Sequence, residues 1–155
     1  MGVSIRRATV ECAQAILELY SSLSLEDVYT RFLGFHKVTQ EEVVHTIESC
    51  ISVLVAESDG KLIAEASLHP DGEFSIVVHP SYRSLGIGAH LVRRIIETAS
   101  QSGLREVHFH TLPSNLPMLR IGERLGFSLS FLGGEASGSL FLEGSRQTEV
   151  RTATQ

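Results

Sequence analysis

The chain has 155 residues, of which 43% are hydrophobic and 20% charged, with a formal net charge of -5. These figures describe an ordinary globular domain that can bury a core without a metal or disulfide staple, and the acidic balance weighs against direct nucleic-acid binding while suiting a basic protein partner. No apolar run reaches the length of a bilayer span, and Cys12 and Cys50 stand apart in no metal or redox motif, so the chain is expected to be cytoplasmic and free of membrane contact.

In chain order, Val3 to Arg7 reads as a short edge strand, followed by a helix from Val10 to Ser21 with Thr9 as its N-cap. Ser24 to Phe35 carries Leu25, Val28, Tyr29 and Phe32 at helical spacing. Gly34-Phe35-His36 is the expected bend. Thr39-Gln40-Glu41-Glu42 is a capping-box pattern that opens a further helix to about Cys50. Ser52 to Ser58 and Lys61 to His69 are strands joined by Asp59-Gly60, a strong hairpin signal.

Pro70-Asp71-Gly72 then leads into a strand from Glu73. A three-residue loop sets His69 opposite Glu73, Ser67 opposite Ser75 and Glu65 opposite Val77 on one face. The other face carries Leu62, Ala64, Ala66 and Leu68 with Phe74, Ile76 and Val78, which is a core pattern. After Pro80 the run Arg83-Ser84-Leu85-Gly86-Ile87-Gly88 enters a long amphipathic helix, with Gly103 where a C-terminal cap belongs. A glycine turn at a helix N-terminus gathers free N–H groups and suits a phosphate or pyrophosphate. A dinucleotide fingerprint is the competing interpretation, but Leu91 stands where its third glycine belongs and Leu112 where its acidic residue does.

Glu106 to Leu112 is a strand, Leu116 to Leu125 a helix, and Phe127 to Leu132 with Gly138 to Glu143 a final hairpin. Residues 1–143 therefore read as one α/β domain with one strand-helix-strand crossover, and the polar segment 144–155 as a flexible tail. His108 and His110 share a strand face, but no Cys or carboxylate completes a metal set nearby, so they read as ordinary sheet histidines and no metal is expected.

Two patterns resemble the GNAT superfamily of acyl-CoA-dependent N-acyltransferases. The first is its R/Q-x-x-G-x-G/A signature, met by Arg83, Gly86 and Gly88 after Val78-His79-Pro80-Ser81-Tyr82. The second is Asn115, a helix, and Gly126-Phe127. The N-terminal half, SLSLEDVYTRF, VTQEE and EASLHPDGEFSIVVH, is similar to the Pat subgroup of archaeal protein lysine acetyltransferases, which modify the chromatin protein Alba.

The resemblance implies a GNAT fold: a central, mixed but mostly antiparallel, twisted sheet of about seven strands flanked by helices, with an extra helical segment on the acceptor side. It implies acetyl-CoA as cosubstrate and a protein lysine, on a basic protein, as acceptor. By the same resemblance the backbone of Ile76, Val77 and Val78 pairs with the pantetheine arm. Arg83 belongs to the cofactor site, and Ser84, Leu85, Gly86, Ile87, Gly88 and Ala89 hold the pyrophosphate; Asn115 and Met118 line the other wall; Arg120 and Arg124 reach the adenosine phosphate. His36, Glu41, Glu42 and Glu65 fall on the acceptor side.

A free lysine has a pKa near ~10.4, so presenting it neutral at pH 7 costs about 4.6 kcal/mol and calls for a general base. Glu73 is the expected base because it opens the strand that leads to the cofactor, with His69 as its cross-strand neighbour and Glu65 as its rival. Gly122 occupies the position where many members of the superfamily carry a tyrosine acid, so no dedicated donor to the thiolate is expected. The remaining alternatives are a non-catalytic acyl-CoA sensor and an acetyltransferase acting on a small or N-terminal amine.

Overall fold

The structure is a computed structural model and describes residues 2–33 and 37–143. Seven strands and five α-helices follow in the order β1 (Ser4–Arg7), α1 (Ala13–Ser21), α2 (Leu25–Phe32), α3 (Gln40–Ser49), β2 (Ser52–Ser58), β3 (Lys61–Leu68), β4 (Phe74–Val78), α4 (Ile87–Gln101), β5 (Glu106–Thr111), α5 (Leu116–Arg124), β6 (Ser128–Leu132) and β7 (Glu135–Phe141). This is the expected GNAT fold. Its strands form two hydrogen-bonded sheets, β1-β2-β3-β4 and β5-β7-β6, within which all pairs are antiparallel.

The crossover through α4 makes β5 run parallel to β4, but the two meet at a single bridge, Glu73 with His108. The His108 N–H donates to the Gly72 carbonyl at 3.0 Å. A Cβ on Gly72 would collide with the Glu106 carbonyl, so only glycine lets the strands touch there. Beyond the bridge β4 and β5 part, and the gap between them is the main cleft among the described residues.

Two apolar clusters hold the sheets from opposite faces. On one, Leu91, Val92 and Ile95 of α4 pack with Ala64, Ala66, Leu68, Phe74 and Phe109. Each fully buried branched side chain there contributes about 1.5–3 kcal/mol relative to exposure. On the other, Ile16, Leu19 and Tyr20 of α1 and Val43 of α3 cover Val53, Val55 and Val77. Leu62 departs from its expected face. The register skips Ile63 between the pairs Glu57–Leu62 and Ala56–Ala64, so a bulge sends Ile63 to the α4 side and Leu62 to the α1 side.

The expected pairing of the β3–β4 hairpin is found, with Ser67 opposite Ser75 and Glu65 opposite Val77. Several boundaries differ by one residue, among them β4, which begins at Phe74 rather than Glu73, and others differ by more or in kind. The first helix opens as a 3₁₀ turn, Val10–Cys12, before α1 begins. α2 stops at Phe32, where Leu33 adopts φ 55°, and the expected bend at Gly34-Phe35-His36 lies outside the described residues, as does the tail 144–155. β3 stops at Leu68 rather than His69. β7 begins at Glu135, three residues before Gly138, because Gly133 and Gly134, both at positive φ, make the turn.

Candidate active site

A cavity of about 590 Å³ fills the gap between β4 and β5. Its walls are β4, the turn before α4, α5 and, across the opening, α2. Hydrogen bonds from the His69 N–H to the Glu73 carbonyl and from the His79 N–H to the Ile63 carbonyl fix which β4 groups face β3. By alternation, residues 73, 75, 77 and 79 bond to β3, whereas the backbone groups of Ile76 and Val78 point to the cleft. Ile76 and Val78 therefore have the free edge expected of them, while Val77 gives its backbone to β3 and its side chain to the core. The Val78 carbonyl already accepts from Arg83 Nε at 3.2 Å.

The turn into α4 has Ser84 at φ 64° and Gly86, the N-cap, at φ 83° with no capping side chain. A Cβ on Gly86 would meet open space, so glycine is required there for its backbone conformation and not for room. The first hydrogen bond back into the helix is from the His90 N–H to the Gly86 carbonyl, which leaves the preceding N–H groups free at the positive end of the helix. Ser84, Gly86, Ile87, Gly88 and Ala89 all border the cavity, but Leu85 does not and is 55% exposed. Gly88 also lets α5 approach, since a Cβ there would lie 3.2 Å from Ile121 Cδ1.

Asn115, Met118, Arg120 and Arg124 line the opposite wall. Asn115 caps α5 through the Met118 N–H and donates from its amide to Thr111 at 2.9 Å, which ties the helix to β5. Arg83 bridges to α2, its guanidinium lying 3.0 Å from the Asp27 carboxylate. Burial alone would raise the Asp27 carboxyl, but hydrogen bonds from Arg83 and Ser24 hold it below the ordinary carboxylate range.

The polar strip on the β3–β4 hairpin divides in two. Glu65, only 2% exposed, accepts from the Tyr20 hydroxyl at 2.8 Å and from Ser67 at 3.2 Å. Burial, and then the Glu65 charge, push the Tyr20 hydroxyl far above its usual range despite Arg31, so it stays a donor. Burial also opposes the charge on Arg31, and Tyr20 and Glu65 outweigh it. Glu65 borders a small pocket of about 40 Å³ with Tyr20, Arg31 and Glu42, not the main cleft.

Glu73 also lies outside the lining of the main cleft: it sits at the strand junction, half-buried, where His108 and His110 approach its carboxylate, and of these three only His110 borders that cleft. His69 is its backbone partner, but the ring lies against Cys50, with Nδ1 3.5 Å from Sγ. Burial, followed by the Glu65 charge and opposed by Arg31, pushes the Cys50 thiol up to about 11. The expectation that no carboxylate stands near His108 and His110 is therefore corrected. Glu73 is remote in sequence but adjacent across the bridge. Glu41 and Glu42 are exposed in the first turn of α3 and line no part of the main cleft, and His36 lies outside the described residues. Sequence reasoning missed Tyr20, Arg31 and Asp27; the capping pair Ser24 and Asp27 was the one local signal available.

Gly122 is buried, and a Cβ there would come within 3.1 Å of the Phe109 ring. Gly138 approaches the same ring still more closely. Phe109 thus occupies the volume that a larger residue at 122 would need.

The family model for the acetyltransferase (GNAT) family matches residues 14–127. The chain belongs to that family. An amino-acid acetyltransferase of Yersinia enterocolitica is 32% identical over 116 residues, 71% of this chain and 24% of that protein. One from Serratia proteamaculans is 33% identical over the same length and coverage. The chain thus spans about a quarter of the length of the curated relatives it matches. Among solved structures, the GNAT domain of S. lividans PAT superposes with a TM-score of 0.82 at 21% identity, covering 90% of both chains. The yncA protein of Salmonella typhimurium, solved with its cofactor acetyl-CoA, gives 0.78 at 23% identity, covering 92% of this chain and 95% of that one. At these identities the structures support the fold. No helix among the described residues is long and apolar enough to cross a membrane.

Proposed function

We propose that residues 1–143 are an acetyl-CoA-dependent N-acetyltransferase that transfers acetyl to a primary amine by direct attack, with Glu73 as general base. The free edge of β4, facing the capless N-terminus of α4 across one continuous cavity, carries this reading. It offers extended backbone groups for an amide-bearing arm and uncapped N–H groups for a pyrophosphate, in the order in which acetyl-CoA presents them. Arg120 and Arg124 supply positive charge farther along the same wall.

In the proposed step the amine nitrogen bonds to the thioester carbon, and the C–S bond breaks as the tetrahedral intermediate collapses. The Ile76 N–H suits the developing oxyanion. Glu73 takes the proton lost from the amine. The departing thiolate, with a solution pKa near ~8.5, leaves without a dedicated acid, which agrees with Gly122 and the packed Phe109 ring.

We assign a lysine of a basic protein as the acceptor, on the resemblance of the N-terminal half to Pat-like enzymes. The names of the 32–33% identical relatives favour a second reading, the α-amine of a free amino acid. Acetyl-CoA incubated with a lysine-rich protein or with an amino-acid mixture separates them, with CoA release and mass spectrometry locating the acetyl group. Modified protein lysines are expected. Acetylated amino acids with unmodified protein would move the acceptor to the second reading, and release independent of any acceptor would overturn both. Gly86→Glu, which strains the positive-φ turn and adds a carboxylate at the pyrophosphate site, should lower acetyl-CoA affinity by on the order of 100-fold in calorimetry while circular dichroism stays native. Unchanged affinity would remove the cofactor assignment.

A further inference from the structure

Glu73, His108 and His110 place one carboxylate oxygen and two ring nitrogens within 4.8 Å of one another. The bridge between Glu73 and His108 sets their side chains on one face, and His110, two residues along β5, shares it. The two imidazole rings stand nearly perpendicular with centroids 5.7 Å apart. The His108 Nδ1 is buried with no hydrogen-bond partner, 3.8 Å from Glu106 Oε1. At that distance Glu106 does not hydrogen-bond the ring, so this buried nitrogen is an unsatisfied polar atom that a bound ion or a small ring rotation would satisfy. His110 is exposed and borders the cavity, so the cluster is reachable from solvent.

Two imidazoles and a carboxylate are a donor set of the kind that holds Zn²⁺ with one open position. Donors around tetrahedral zinc lie roughly 3.4 Å apart at bond lengths near ~2.1 Å, so a pair at the 4.8 Å limit has to close by about 1.4 Å, through rotation of the half-buried Glu73 side chain as well as of the exposed His110 ring. Nitrogen donors of this kind favour Zn²⁺, Co²⁺ or Ni²⁺ over Mg²⁺ and Ca²⁺.

We propose that Glu73, His108 and His110 form a binding site for a divalent transition-metal ion of the zinc class, and that its occupancy withholds the Glu73 carboxylate from the acceptor amine. The second clause rests on Glu73 being the base; the first does not. Bound ion and acceptor amine then compete for one carboxylate, whereas the pyrophosphate end of the cleft is untouched.

The test uses the full chain without an affinity tag, titrated with ZnCl₂ by calorimetry and with Co²⁺ by visible absorption. One ion per chain is expected, unaffected by excess Mg²⁺, with a cobalt spectrum lacking thiolate charge transfer. His110→Ala and Glu73→Gln should each weaken binding by about 10-fold or more, while Cys12→Ser and Cys50→Ser leave it unchanged. Absence of binding, or binding that survives His110→Ala and Glu73→Gln or vanishes in a cysteine variant, overturns the site. In the transfer assay zinc should inhibit competitively with the acceptor and reversibly on chelation, and His110→Ala, compared with its own metal-free rate, should resist it. If zinc occupies the three residues and transfer continues at the metal-free rate, the site stands, and both the inhibition and the base role of Glu73 fall.

Discussion

Glu65 and Glu73 lie on the same face of one hairpin, yet they occupy opposite environments. Glu65 is sealed among Tyr20, Ser67 and Arg31, behind the cleft wall. Glu73 stands where two sheets touch at one bridge and then part, beside two histidines and next to solvent. The contrast teaches that the face of a strand selects candidates, while the neighbours brought from elsewhere in the chain decide their role. A buried carboxylate with hydrogen-bond donors and a cation holds structure together. A half-buried one at a strand junction is able to exchange a proton with a ligand.

If the contrast is right, Glu65→Gln acts first on stability. It removes a charge that balances Arg31 and changes the acceptor for Tyr20, so a loss of about 1–3 kcal/mol is expected in urea unfolding. An unchanged midpoint, with turnover abolished, would invert the assignment of the two glutamates. Tyr20→Phe tests the same cluster more gently. Losing one hydrogen bond to a buried carboxylate should cost about 1–2 kcal/mol, and a neutral result would mean that water replaces the hydroxyl at no cost.

A smaller effect belongs to the open side, where Asp27 and Arg83 hold α2 across the cleft. Both side chains are partly solvated, so Asp27→Asn should cost no more than about 1 kcal/mol. The Asp27 carboxyl is held below its ordinary value, so this contribution is complete above the unfolded-state pKa near ~3.9. It fades as the pH falls through the lower folded value. Wild type and Asp27→Asn should therefore differ in stability at about pH 6 and converge in strong acid; a gap that widens on acidification would contradict the pairing.

Much of the fold is legible in the sequence because it is written locally. Asp59-Gly60 and Pro70-Asp71-Gly72 set the two hairpins, and Gly103 ends α4 at positive φ, with the Leu104 N–H bonded to the Ala99 carbonyl. The turn from Ser84 to Gly88 is legible for the same reason, since a run of backbone groups needs only a glycine pattern to announce it. The cluster at Glu73 is not, because His108 and His110 reach it only through a parallel contact with a strand remote in sequence. Leu62 falls on the face opposite to its expected one because nothing in a two-residue alternation marks a bulge at Ile63. His69 turns to Cys50, a residue that its own hairpin does not contain. The start of β7 is marked by Gly133-Gly134, a local turn signal that the expected boundary at Gly138 passes over.

The base assignment is tested most directly by the pH dependence of kcat/KM for the wild type, Glu73→Gln and Glu65→Gln, measured with a lysine-rich protein acceptor. Glu73→Gln should lower turnover by about 100-fold or more at neutral pH, with acetyl-CoA affinity intact and the deficit shrinking as rising pH supplies neutral amine. Glu65→Gln, compared at a temperature where it remains folded, should keep the wild-type profile. Near-normal rates for Glu73→Gln between about pH 6 and 9, the range that spans titration of base and amine, together with loss of turnover in folded Glu65→Gln, would contradict the account and move the base behind the cleft wall.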